Sequence, residues 1–174
     1  MFPSLFKKQM QPTAPTPKFK PVPLVISILI TLAIGFVASL ITRPQIAGWY
    51  GTLAKPSFNP PSWLFAPVWG CIYILNAIAA YLVWQQRDDP TNYLTARAVY
   101  IIQLALNFSW SIVFFGFHSI VGGLLIIILL WMTILLNIRW FGKFSKATGW
   151  LLLPYFLWVS FAAILNYSIY TLNR

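Results

Sequence analysis

Long apolar runs, each closed by basic residues or by a cluster of turn formers, organise this chain. Lys20 and Arg43 bound the first run, Lys55 and Arg87 the second, and Lys146 and Arg174 the last. Between Arg97 and Arg139 no formal charge occurs, but Gly116-Phe117-His118-Ser119 breaks the run and leaves about twenty residues on each side. A helix rising ~1.5 Å per residue needs about 20 apolar residues to cross a ~30 Å hydrocarbon core. The pattern therefore predicts five spans, at about 23–42, 63–86, 97–116, 119–139 and 148–171. None of the runs alternates apolar and polar residues over the ~10-residue segments of a membrane barrel strand. Backbone polar groups in lipid must be satisfied internally, which leaves an all-α integral membrane protein, a five-transmembrane-helix bundle.

Composition agrees: 59% of the 174 residues are hydrophobic and 8% are charged, against about 25% charged in soluble domains. Five spans put the termini on opposite faces. Nine of the twelve basic residues (Lys7, Lys8, Lys18, Lys20, Arg87, Arg97, Arg139, Lys143 and Lys146) then share one face, and Arg43, Lys55 and Arg174 the other. By the positive-inside rule the N-terminus is expected in the cytoplasm. A bacterial inner membrane fits that bias and the absence of a recognisable cleavage site; an organelle outer membrane is the alternative. The basic residues are split among separate loops rather than gathered in a stripe, so the net charge of +10 reports topology and the lipid bilayer as partner, not nucleic acid. Residues 1–22, with five Pro among Lys, Thr and Gln, read as a basic, disordered N-terminal arm able to touch anionic headgroups.

The acidic inventory excludes much chemistry. Asp88 and Asp89, adjacent in one polar loop, are the only carboxylate side chains in the sequence. No span carries the Asp, Glu or Lys that an ion-coupled transporter needs. A lone His118 in a turn and a lone Cys71 supply neither a catalytic triad nor a metal set. His118 reads as a loop residue and Cys71 as a packing residue in the second span.

One connector stands out. Trp49 to Tyr73 holds three Trp, two Tyr, two Phe and four Pro in twenty-five residues, a composition that stiffens the backbone and presents rings to the headgroup zone. Ser62 is placed to cap the second span, and Pro67 to kink it. Inside the spans, Trp69 and Tyr73 are four apart, as are Asn107 and Ser111, while Trp158, Ala162 and Asn166 follow at fours. Each set lines one side of its helix. Trp110 and Trp158 fall mid-span, where interface anchoring does not explain them. If the faces converge they enclose an apolar pocket with a few placed polar atoms, as a flat hydrophobic ligand requires. Asn76 and Asn166, taken singly, read as helix–helix glue. The small residues Gly35 and Ser39 allow close helix approach or leave ligand space, and a small-residue face admits a homodimer.

Trp49-Tyr50, Leu53, Lys55-Pro56, Pro60-Pro61, Phe65, Pro67-Val68-Trp69 and Tyr73 together resemble the signature of the tryptophan-rich sensory protein / translocator protein (TspO/MBR) family. Two later blocks match it as well: Gln103-Leu104, Asn107, Trp110-Ser111 and Phe114-Phe115, then Pro154-Tyr155, Trp158-Val159, Phe161-Ala162 and Leu165-Asn166. The resemblance covers roughly residues 24–173. It implies a five-helix bundle that binds porphyrins such as protoporphyrin IX, haem and other flat hydrophobic ligands in a cavity beneath the first loop. Carried over position by position, it implicates Tyr50, Pro60, Trp69, Tyr73, Asn107, Trp110, Ser111, Trp158 and Ala162 in ligand binding. Arg43 and Lys55 are the cations available to porphyrin carboxylates near the cavity mouth. No cofactor is required; porphyrin or haem enters as ligand.

The reading this favours is a membrane receptor or sensor of tetrapyrroles, regulating their metabolism or a stress response. The alternatives are a carrier of tetrapyrroles or lipophilic ligands, and an enzyme that degrades porphyrin with light and oxygen. Leu165, Tyr170 and Arg174 fit a proposed cholesterol pattern only loosely, and four residues after Tyr167, where animal members carry Arg, this chain has Thr171; sterol binding is not expected.

Overall fold

The computed structural model describes residues 19–174, and among them there is no strand. The helices are α1 (Pro21–Ala47), α2 (Trp49–Thr52), α3 (Phe65–Gln85), α4 (Pro90–Ser111), α5 (Ile120–Gly142), α6 (Lys146–Trp150) and α7 (Leu153–Leu172). A 3₁₀ turn, Ser62–Leu64, leads into α3, and a π-helical turn, Ile112–Gly116, ends α4. Five helical segments are long and apolar enough to cross a membrane: Pro21–Ala47, Ser62–Gln85, Pro90–Gly116, Ile120–Gly142 and Lys146–Leu172. The expected arm lies outside the described residues except for its last four, and Pro21 and Val22 already belong to α1.

The boundaries follow from local chemistry. Pro21, Pro90 and Pro154 sit in first turns, where an N–H would have no helical partner. Asp89 and Ser119 cap α4 and α5, accepting from the backbone N–H of Asn92 and Gly122. The tight turn before α5 is made by His118, whose φ of 53° is the only positive one of a non-glycine residue in the described chain.

Three expectations are corrected. Ser62 makes no capping hydrogen bond; it opens the 3₁₀ turn, and Pro61 occupies the cap position. Pro67 lies in the first turn of α3, where its missing donor costs nothing, and it does not interrupt the helix. Instead the interior proline is Pro44 in α1, which runs past Arg43 to Ala47, five residues beyond the expected end at 42.

The principal pairings are α4 with α5, α1 with α3 and α5 with α7. Three apolar layers fill the bundle. Tyr50, Phe114, Phe115, Leu165 and Ile169 pack nearest the aromatic connector. Ile72, Ile127, Leu130, Ile134, Tyr155 and Val159 form the middle, and Ala79, Val83, Ala96, Phe141 and Leu152 the far end. On α1, Thr31 and Ala38 alone are buried, and Ile26, Leu29, Ile30, Val37 and Leu40 face outward toward lipid. Cys71 is also exposed, on an apolar groove between α3 and α7, which corrects its reading as a packing residue.

Candidate ligand cavity

The connector folds back over the bundle. Gln45 near the end of α1 pairs with His118 of the α4–α5 turn at 3.0 Å, and the His118 ring stacks on Trp49 at 4.7 Å. Tyr50 is buried beneath: its hydroxyl donates to Asn59 Oδ1 at 2.7 Å, closing the proline-rich segment onto α2. Burial pushes the Tyr50 phenol up to about 12. Across the connector, the side chain of Asn173 pairs with the backbone of Ala54.

Under this cover lies a cavity of about 1300 Å³. α1 supplies one wall from Leu32 to Ala47, α3 contributes Trp69 and Tyr73, α4 Asn107, Trp110 and Ser111, and α7 Trp158 and Ala162. With Tyr50, Pro60, Arg43 and Lys55 at the connector end, all eleven residues singled out in the sequence border this one space. Trp69 stacks on Tyr73 at 5.6 Å, and Trp110 lies nearly parallel to Phe114 at 5.3 Å. Trp158 meets Phe65 edge-on at 5.8 Å. Trp110 stands in the last turns of α4 rather than at mid-span, directly before the π turn.

The two cations at the connector end of the cavity differ in their engagement. Lys55 Nζ donates to the carbonyls of Gly51 and Leu53 and sits over the Tyr50 ring, so it serves the fold of the connector. Arg43 is exposed at the rim, with no hydrogen bond, ion pair or ring contact among the described residues.

Polar atoms in the wall are tied together. Tyr73 donates to Asn107 Oδ1 at 2.8 Å, and Asn107 Nδ2 donates to the Tyr155 hydroxyl at 2.9 Å. Gln103 Nε2 reaches the same hydroxyl at 3.0 Å, and Asn137 Nδ2 donates to Gln103 Oε1 at 3.0 Å. Asn166 accepts from Trp110 Nε1 and donates to the Ile120 carbonyl, joining α4, α5 and α7 in the bridging role read for it. Asn76 does not bridge helices; its Nδ2 bonds only the Ile72 carbonyl of its own helix.

Sequence reasoning missed Phe114 and Phe115, both buried against Trp110 and Tyr50, although the block that carries them was noticed. It also missed most of the α1 wall. The signal there was a stripe of small residues, Gly35, Ala38, Ser39 and Thr42, within an otherwise bulky helix. Gly35 is needed for close approach: a Cβ there would collide with the Tyr73 ring.

Such a cavity inside five spanning helices, roofed by an aromatic connector, defines a multi-pass helical membrane protein with an intramembrane pocket. The chain belongs to the TspO/MBR family, whose profile matches residues 27–172. It is similar to the tryptophan-rich protein TspO of Archaeoglobus fulgidus, 44% identical over 150 residues that cover 86% of this chain and 96% of the relative. The tryptophan-rich sensory protein of Cereibacter sphaeroides is 34% identical over 125 residues, covering 72% of this chain and 77% of the relative. The human translocator protein is 33% identical over 141 residues, covering 80% and 83%.

Proposed function

We propose that this protein is a membrane receptor or sensor that binds protoporphyrin IX, haem and similar flat hydrophobic ligands in the cavity and so regulates tetrapyrrole metabolism or a stress response. The observation that carries the reading is the convergence of Trp69, Tyr73, Trp110 and Trp158 on one space of about 1300 Å³. That is larger than the ~300–1,000 Å³ typical of drug-sized ligands. Ring faces offer stacking to a flat macrocycle, and Arg43 at the rim offers a cation to its carboxylates. Porphyrin or haem is then ligand, not resident cofactor. We place the protein in a bacterial inner membrane with the N-terminus cytoplasmic, on the positive-inside bias; a homodimer is compatible with this placement.

The test is a titration of the purified full chain with protoporphyrin IX in the dark, followed by tryptophan fluorescence, alongside Trp158→Ala and Asn107→Ala. Saturable quenching is expected, weakened about three- to tenfold by loss of the Trp158 ring. Absent binding, or binding unchanged in both variants, overturns the assignment. Exposing the complex to light then separates the readings: a sensor leaves the porphyrin intact, and a degradative enzyme yields a new product over many equivalents. Movement of ligand across sealed vesicles identifies a carrier.

A further inference from the structure

Below the cavity the bundle contains polar atoms that the ligand reading does not use. Asn76 and Asn137 are each 1% exposed, and the Oδ1 of each has no hydrogen-bond partner in the protein; the buried hydroxyl of Tyr100 has none either. An unsatisfied buried acceptor costs roughly 1–3 kcal/mol, and native proteins rarely leave several together.

Asn76 and Asn137 share one level of the bundle, and Tyr100 packs about one turn beyond it. α3 and α5 are alternate spans and run in the same direction. Asn76 follows Ile72 by one turn on α3, and Asn137 follows Ile134 by about one turn on α5; Ile72 and Ile134 pack in the same middle cluster. One turn further on, Ala79 and Phe141 pack in the far cluster with Tyr100, whose ring lies 5.7 Å from that of Phe141. Asn76 and Asn137 therefore lie between the two apolar layers, at the level where Gln103 of α4 bonds Asn137.

Side-chain reorientation does not remove the deficit. Turning the Asn76 amide over would set its oxygen against the Ile72 carbonyl, which its nitrogen now bonds. Turning over Gln103 and Asn137 together reverses donor and acceptor along their bond, and only moves the unpaired atom from Asn137 Oδ1 to Asn137 Nδ2. The missing partner must donate to the two oxygens, and must fit inside a bundle core.

We infer that this level is an internal water site, in which ordered water bridges Asn76 and Asn137 and reaches the Tyr100 hydroxyl. Buried waters typically take two to four polar partners, and these three groups supply that number. The water extends the hydrogen-bonded chain Tyr73–Asn107–Tyr155–Gln103–Asn137, which starts at the cavity wall, into the far half of the bundle. The site requires no ligand in the cavity and stands apart from the porphyrin reading.

An experimental structure of the full chain in lipid, at a resolution that shows ordered solvent, tests it directly. Solvent density within hydrogen-bond distance of Asn76 Oδ1 and of the Asn137 carboxamide is expected; apolar side chains closed over both oxygens would overturn the inference. Thermal unfolding of Tyr100→Phe gives an independent sign, because that hydroxyl has no partner in the protein. Removing an oxygen that holds water lowers the melting temperature by about 2–4 °C, whereas removing a dry, unpaired oxygen raises it.

Discussion

Asn173, just beyond α7, pairs through both ends of its carboxamide with the backbone of Ala54: the Ala54 N–H donates to Oδ1 at 3.0 Å, and Nδ2 donates to the Ala54 carbonyl at 2.9 Å. Nδ2 also reaches the Ile169 carbonyl at 2.7 Å. The contact spans 119 positions of sequence and fastens the connector over the cavity to the last helix. Asn173→Ala is expected to loosen this roof while leaving the bundle folded, since the removed bonds lie outside the apolar layers. Amide exchange at Ala54 should rise about ten- to a hundredfold, from two bonds of roughly 0.5–1.5 kcal/mol each. Exchange unchanged at Ala54 would show that the connector holds its place without Asn173.

Gly35 and Tyr73 set the separation of α1 and α3 at the cavity wall. Gly35→Ala forces its methyl into the Tyr73 ring, and overpacking of that kind costs about 1–3 kcal/mol. The expected result is a lower melting temperature together with a weakened Tyr73–Asn107 bond. Gly142→Ala is the matched control: a Cβ there meets nothing within 4 Å, so no overpacking and no fall in melting temperature are expected.

Arg43 and Lys55 should separate in a titration with charged and uncharged porphyrins. Under the proposed function, Arg43→Gln weakens binding of protoporphyrin IX about two- to fivefold, the range of an exposed ion pair, and leaves its dimethyl ester unaffected. Lys55→Gln acts differently, because its ammonium is held by the Gly51 and Leu53 carbonyls. It should loosen the connector and weaken both porphyrins alike.

Tyr50 carries a pH dependence whose direction follows from burial. Its phenol is raised from 10.0 to about 12, so the folded chain keeps a proton that the unfolded chain loses above pH 10. The contribution is constant below pH 10 and declines as pH rises from 10 toward 12. Ultraviolet titration of the protein against Tyr50→Phe is expected to show one phenol ionising near pH 12, with the connector opening as it does. Ionisation of Tyr50 near pH 10 would contradict the buried, hydrogen-bonded placement under the connector.

The span count was legible because each apolar window between charges is long enough to cross lipid, and neither Arg43 nor Pro44 hides that length. Their effect on the helix end was not legible. A basic residue followed by proline reads as a stop, yet α1 continues through both to Ala47, since a single missing hydrogen bond does not outweigh the packing of that turn against the connector. Ser62 and Pro67 misled in the opposite sense. Their residue types carry a cap and a kink only at particular helical positions, and the 3₁₀ turn shifted both.

The cavity residues were visible for a related reason. Trp69, Asn107 and Trp158 are polar or aromatic where lipid would select aliphatic side chains, and four-residue spacing places each group on one face of its helix, whereas Tyr50, in the connector, was implicated only by the family resemblance. That much is determined by sequence alone: five spans, one inward face on each of α3, α4 and α7, and an aromatic connector between the first two spans. Which inward groups meet was decided only by the packed bundle. Asn173 reaches Ala54, Gly35 receives the Tyr73 ring, and Asn137 finds Gln103 while its oxygen is left unpaired. Helix periodicity specifies direction around one axis, whereas these pairings depend on the rotation and depth of several helices against one another, and no local pattern encodes those.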